Sequence, residues 1–207
     1  MSIEVVIARF KERLGWTRFL RTDAKITVYN MGPDEVEGAI RLPDIKTASD
    51  PFVHLHHIIA RYDSLADWTF FIQGDPFDHE PAIVPTINWW PASLSSVNSF
   101  SPEDGLHCFC PLGSMEVERN CWTGKTKPIH EMVGEVWREL YSCAPPEQMR
   151  FGPGFHFAAS LRLLHTRRRL FYWRLYELIH AREMGPWECE RILGVLWSSA
   201  HAQYVRA

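Results

Sequence analysis

The chain of 207 residues has no apolar run approaching the ~20 residues that cross a bilayer. Its longest, residues 5–8 and 89–92, are far too short. Met1-Ser2-Ile3-Glu4-Val5 places no charged segment ahead of a long apolar core, so no signal peptide is expected. Cysteine is sparse and odd in number: Cys108, Cys110, Cys121, Cys143 and Cys189. They show no C-x-x-C or zinc-knuckle spacing, so buried reduced thiols and a cytoplasmic location are expected. There is no excess of positive charge, with 22 Lys+Arg against 25 Asp+Glu and a net charge of -3. A nucleic-acid partner is therefore not expected. A hydrophobic content of 46% also excludes general disorder. G-x-S-x-G, P-loop and G-x-G-x-x-G motifs are missing, which removes support for serine-hydrolase, P-loop NTPase and typical dinucleotide readings. No internal repeat or low-complexity segment stands out.

Aromatic residues are abundant instead, at 13% with nine Trp. Such side chains fill cores, and Trp also forms flat binding walls. The length fits one domain. Residues 3–8 are β-branched and apolar, as in a buried parallel strand. Residues 12–21 carry Trp16, Phe19 and Leu20 at helical spacing. Residues 25–30 form a second strand. Asp50 before Pro51 is an expected N-cap for a helix with Phe52, Leu55, Ile58, Ile59 and Tyr62 on one face. Residues 67–73 form a third strand. This βαβαβ order predicts a mostly parallel sheet flanked by helices, with its crevice at the carboxyl ends of the strands. Residues 81–126 read as a long irregular aromatic segment. Helices are expected over 129–141, 161–181 and 186–202, and a short strand over 155–159.

Gln73-Gly74-Asp75-Pro76-Phe77-Asp78-His79 follows the third strand directly. Asp75 and Asp78 offer two hard oxygens suited to Mg²⁺ or Mn²⁺ held jointly with phosphate. The same residues also suit an Asx-type turn. His54 and His57 share a helix face and, with His79, could form a zinc hydrolase site. Arg162 and Arg167-Arg168-Arg169 could hold a diphosphate or simply line a solvated helix face. Only one of Glu188 and Glu190 can face a cleft. Glu190, ahead of the apolar residues 192–196, could be a general base or pair with Arg191. Trp89, Trp90, Phe109 and Trp122 could stack on sugars or bases.

Several segments, taken together, resemble a family of short fungal, bacterial and viral proteins that looks like GT-A-type glycosyltransferases. They are Val6-Ile7-Ala8-Arg9-Phe10-Lys11-Glu12, the stretch from Leu55 to Asp63, the Gln73–His79 motif and Cys110-Pro111-Leu112-Gly113. Gly154-Phe155-His156-Phe157-Ala158-Ala159-Ser160, Phe171-Tyr172 and Glu190-Arg191 continue it. The chain departs from the family pattern at Lys11, at Phe155-His156 and at Leu193-Gly194. The resemblance implies a single GT-A-like, Rossmann-like α/β domain over 1–207, with a nucleotide-binding half (1–80) and an acceptor and sugar half (81–207). It implies a nucleotide-sugar donor, a glycan or other hydroxyl acceptor, and Mn²⁺ or Mg²⁺ on Asp75 and Asp78. Ala8, Arg9, Glu12, Asn30 and Asp75 would serve the nucleotide. Gln73, His79, Trp89, Trp90, His156 and Phe157 would serve the substrate, with Glu190 and Asp78 at the catalytic centre. A non-catalytic carbohydrate-binding protein is the remaining alternative.

Overall fold

The computed structural model describes residues 1–42, 49–90, 105–109, 113–115, 117–119, 126–145, 149–151 and 153–197. Its centre is β1 (Ile3–Arg9), buried at every position. This strand pairs in parallel with β2 (Ala24–Asn30) on one side and β4 (Trp68–Gln73) on the other. The registers end together: Arg9 opposes Asn30, and Ala8 opposes both Tyr29 and Gln73. Beyond β2 lies β3 (Ile40–Arg41), and beyond β4 lie β10 (Phe157–Ser160) and β5 (Leu106–Cys108). The six-stranded order is β3-β2-β1-β4-β10-β5. Only β10 runs against its neighbours, so the sheet is mixed. Two small antiparallel pairs join β6 (Gly113–Met115) to β9 (Met149–Phe151) and β7 (Val117–Arg119) to β8 (Thr126–Pro128).

Alternation along β1 splits the core into two layers. Val6 and Ala8 join Phe71, Phe157 and the helices α1 (Asp50–Arg61), α4 (Gly134–Tyr141), α6 (Arg169–His180) and α7 (Gly185–Leu196). Ile3, Val5 and Ile7 join Phe70, Ile72, Trp16, Trp90 and Phe109 on the opposite face, with Ile83 and Ile87 of α2 (Ile83–Asn88). A strand covered on both faces needs no polar alternation, which is why its sequence reads as an apolar run.

Several expected elements differ. Residues 12–21 contain only a 3-10 turn, Gly15–Phe19, without a side-chain cap. Trp16 is buried there and donates its indole N–H to the Gly74 carbonyl at 2.9 Å. Phe19, expected to face the core, is 58% exposed. The 129–141 helix divides into α3 (Ile129–Met132) and α4, and the 161–181 helix into α5 (Leu161–Leu164) and α6. In the second case Arg167 is buried and donates to the Leu196 carbonyl, Arg169 pairs with Asp63, and Arg162 and Arg168 are exposed. Residues 155–159 begin in a 3-10 turn, Pro153–Phe155, and only then become β10. Cys108, Cys143 and Cys189 are free thiols, while Cys110 and Cys121 lie outside the described residues. Trp122 lies outside them as well. Among the described residues no helix is long and apolar enough to cross a membrane.

Some polar groups inside the fold are well paired. Glu4, 1% exposed, accepts from Thr27 at 2.6 Å and from Lys25 at 2.8 Å. These bonds help hold its carboxyl below the ordinary range despite the opposing effect of burial. Burial pushes His57 down to about 4, against the pull of Glu4. Burial also pushes His107 down to about 4, and His156, beside His79, down to about 3. His54 is held well below its ordinary value, by burial first and then His156.

Each of these histidines titrates lower in the folded chain than in the unfolded one. From pH ~6.5 down to ~4 the unfolded chain binds more protons, so stability falls as pH falls. The slope is up to roughly 1.4 kcal/mol per pH unit for each histidine. The urea midpoint should therefore be clearly lower near pH 5 than near pH 7. An unchanged midpoint would contradict the neutral buried state.

Candidate functional site

The parallel strands β1, β2 and β4 finish at one edge of the sheet, and two hollows open there. The first, about 220 Å³, is lined by Ser49, Asp50, Gln73, Gly154, Trp187 and Glu190, together with neighbouring residues. It therefore collects the first turn of α1, the last residue of β4, the 3-10 turn before β10 and the first turns of α7. The second, about 550 Å³, lies beyond β2 and β3 and is lined by Asn30, Pro33, Glu35, Val36, Glu37 and Arg41, among others.

Local chemistry explains how the first hollow is shaped. Ser49 is the N-cap of α1 but makes no side-chain cap bond. Asp50 is thus the first helical residue rather than the expected cap, and its side chain bonds with Gln73. Gln73 also donates from its amide Nε2 to the Gly154 carbonyl at 3.1 Å, and from its backbone N to His156 Nε2 at 3.3 Å. Gly154 has φ +82, and a Cβ there would meet the His79 ring at 2.9 Å. Phe155 follows with φ 54, a left-handed conformation that is costly for a bulky residue. This bend aims the Gly154 N–H at Glu190 Oε1, at 2.8 Å. Glu190 Oε2 lies 2.7 Å from Arg191. Glu188, its neighbour two positions earlier, is instead buried in a two-pronged bond with Arg182.

Asp50 is the residue that sequence reasoning missed. It keeps some surface, but its carboxyl group is closely surrounded. Burial first, then the charges of Glu12 and Glu190, push it up to about 8, while the Gln73 bond opposes the rise. An Asp-Pro pair at a helix start is read most simply as a cap, and nothing in sequence shows that the helix start abuts the end of β4.

The expected site residues divide as follows. Gln73 and Glu190 line the first hollow, His79 sits over Gly154, and His156 faces His79 edge-on with ring centroids 5.0 Å apart. Glu12 accepts from the Phe10 and Lys11 amides at 2.6 and 3.0 Å and packs on Gly74, where a Cβ would lie 2.6 Å from its carboxylate. Arg9, 7% exposed, is held by Asp34 through both arms, at 3.1 and 2.6 Å, and by Asn30 and the Glu12 carbonyl. Asn30 in turn receives the Gly32 amide, so this pair shapes the loop under the second hollow. Ala8 is buried beneath the helical layer. Phe157 stacks on Phe71 in the core, with ring centroids 4.7 Å apart. Trp90 is 3% exposed against Trp68 and Phe70, and Phe109 stacks on Phe70, so these rings fill the core rather than wall a hollow. Trp89 is 71% exposed. The aromatic walls of the first hollow are Phe155 and Trp187 instead.

Asp75 and Asp78 lie on the exposed turn after β4, and Asp75 Oδ1 receives the Phe77 amide at 3.4 Å. Among the described residues no group of three His, Cys, Asp or Glu could hold a metal ion. Both are exposed carboxylates, the hard oxygen donors that Mg²⁺ and Mn²⁺ take. His54 and His57 are buried within the helical layer, where His54 stacks on Phe155 at 5.5 Å and His57 meets the Tyr29 hydroxyl at 3.1 Å. They do not join His79 in a metal-holding group.

No protein-family model, curated protein or solved structure matches the chain.

Asp50 binds its proton more tightly in the folded chain than in the unfolded one. Its favourable contribution is complete below pH ~4 and is lost as pH rises towards 8. Asp50→Asn stays neutral throughout. The variant should therefore gain melting temperature over the native chain at pH 9 and show a smaller gain at pH 5, a difference on the order of a few kcal/mol. A pH-independent difference would contradict the perturbed carboxyl.

Proposed function

We propose that the chain is a GT-A-like glycosyltransferase that moves a sugar from a nucleotide-sugar donor to a hydroxyl acceptor. The observation that carries this reading is the convergence of Asp50, Gln73 and Glu190 in one hollow at the carboxyl edge of the parallel strands. Glycosyl chemistry employs paired carboxylates in different protonation states, because one must accept or give a proton while another stays charged. Open α/β sheets bind ligands at this edge.

The larger hollow beyond β2 and β3 suits the nucleoside. Glu35 and Glu37 would repel phosphate there, whereas base and ribose hydroxyls are neutral. The diphosphate would then cross towards the turn after β4. Asp75 and Asp78 would hold Mn²⁺ or Mg²⁺ with it, and the ion would offset the charge of the leaving group. The sugar would occupy the first hollow, against Trp187. Glu190, fixed by the Gly154 N–H, would accept a hydrogen bond from a sugar or acceptor hydroxyl. Asp50, poised near 8, would take the acceptor proton as the acceptor oxygen bonds to the anomeric carbon and the bond to the nucleoside diphosphate breaks.

Activity should rise with pH through about 8 as Asp50 becomes the carboxylate. Glu12→Gln removes a neighbouring negative charge, so this limb should move to lower pH. Asp50→Asn should lower kcat by roughly 10²–10⁴. Calorimetry and donor-hydrolysis assays with UDP-, GDP- and dTDP-sugars and Mn²⁺ supply the measurement. No binding and no turnover of any of them would overturn the reading.

A further inference from the structure

The segment between β1 and β2 is chemically unlike the rest of the chain. Residues 9–23 carry Arg9, Lys11, Arg13, Arg18 and Arg21 against two carboxylates, Glu12 and Asp23, in a protein whose net charge is -3. Some of these charges are paired. Arg9 is buried on Asp34, Arg21 is paired with Asp23, and Glu12 turns inward to the Phe10 and Lys11 amides. Lys11, Arg13 and Arg18 remain exposed.

Exposed aromatic rings accompany them. Phe10 is 39% and Phe19 58% exposed. Asn88 ties the end of α2 to this segment, donating to the Phe19 carbonyl at 2.8 Å and accepting from the Arg21 amide at 2.7 Å. That crosslink sets the next residue, Trp89, 71% exposed, near Phe19. Phe77 borders the segment through Trp16, but its turn carries Asp75 and Asp78 and is not counted with it.

We propose that the exposed side chains of this segment, Phe10, Lys11, Arg13, Arg18 and Phe19, together with Trp89, dock the protein on an anionic lipid surface. Apolar rings beside cations are the composition that interfacial segments use: the rings enter the acyl boundary and the cations stay among the headgroups. The pairing is already made, with Lys11 Nζ 5.1 Å from the Phe10 ring and the Arg18 guanidinium 4.6 Å from the Phe19 ring. The net charge of -3 disfavours a nucleic-acid partner. Docking is independent of the glycosyl-transfer reading.

The test is co-sedimentation of the full chain with phosphatidylcholine vesicles, with and without phosphatidylserine. Binding is expected only with phosphatidylserine, and it should weaken as salt screens the cations. K11E/R13E/R18E should lose affinity on the order of 100-fold, since each surface cation contributes roughly five-fold. Phe19→Ala with Trp89→Ala should weaken binding while leaving its salt dependence. Should the triple variant fail to fold by circular dichroism, high salt with the native chain replaces it and must release the protein. No binding, equal binding to uncharged vesicles, salt-insensitive binding, or capture of a single-stranded RNA oligomer without vesicle binding would each overturn the proposal.

Discussion

The rest of the structure depends on β1 being paired in parallel on both edges and covered on both faces. An interior strand of this kind leaves no backbone group for water, so its neighbours must run in register and two apolar layers must be built around it. The registers then bring Arg9, Asn30 and Gln73 to one edge. The polar side chains that follow the strands cannot enter the core and collect there. Both hollows are consequences of that constraint.

The same constraint explains the chemistry of the edge. Gln73 shares the face of Phe71, so it emerges beneath the first turn of α1 and beside the start of α7. Carboxylates from separate elements, Glu12 and Glu190, then act on Asp50. Negative charges near a closely surrounded carboxyl raise the cost of ionising it, so Asp50 holds its proton more tightly. The arrangement separates an acid from its charged neighbours. Gly74 and Gly154 permit it, because Glu12 and His79 lie where side chains at those positions would begin.

Local pattern revealed β1, β2 and β4 through short β-branched and apolar runs, and α1 through its helical spacing. It revealed β10 as a short strand but not its place between β4 and β5, because strand order depends on distant pairings. Residues 12–21 carried a helical spacing, yet Trp16 is held by a bond to Gly74 across the fold and Phe19 faces outward. Glu190 was legible as the cleft-facing member of its pair, because helical geometry separates it from Glu188 by about 200°. Asp50 was not, because its environment is made by other elements. The aromatic excess was divided incorrectly for Trp90, Phe109 and Phe157, which are core residues, and a hydrophobic ring carries no sign of which layer it joins.

A crystal structure with Mn²⁺ and a nucleoside diphosphate bound tests the central claim most directly. The account predicts the nucleoside in the hollow beyond β2 and β3, the diphosphate over Asp75 and Asp78, and its free end pointing to Asp50 and Glu190. A ligand bound away from this edge, or with its diphosphate turned from Asp50, would contradict it.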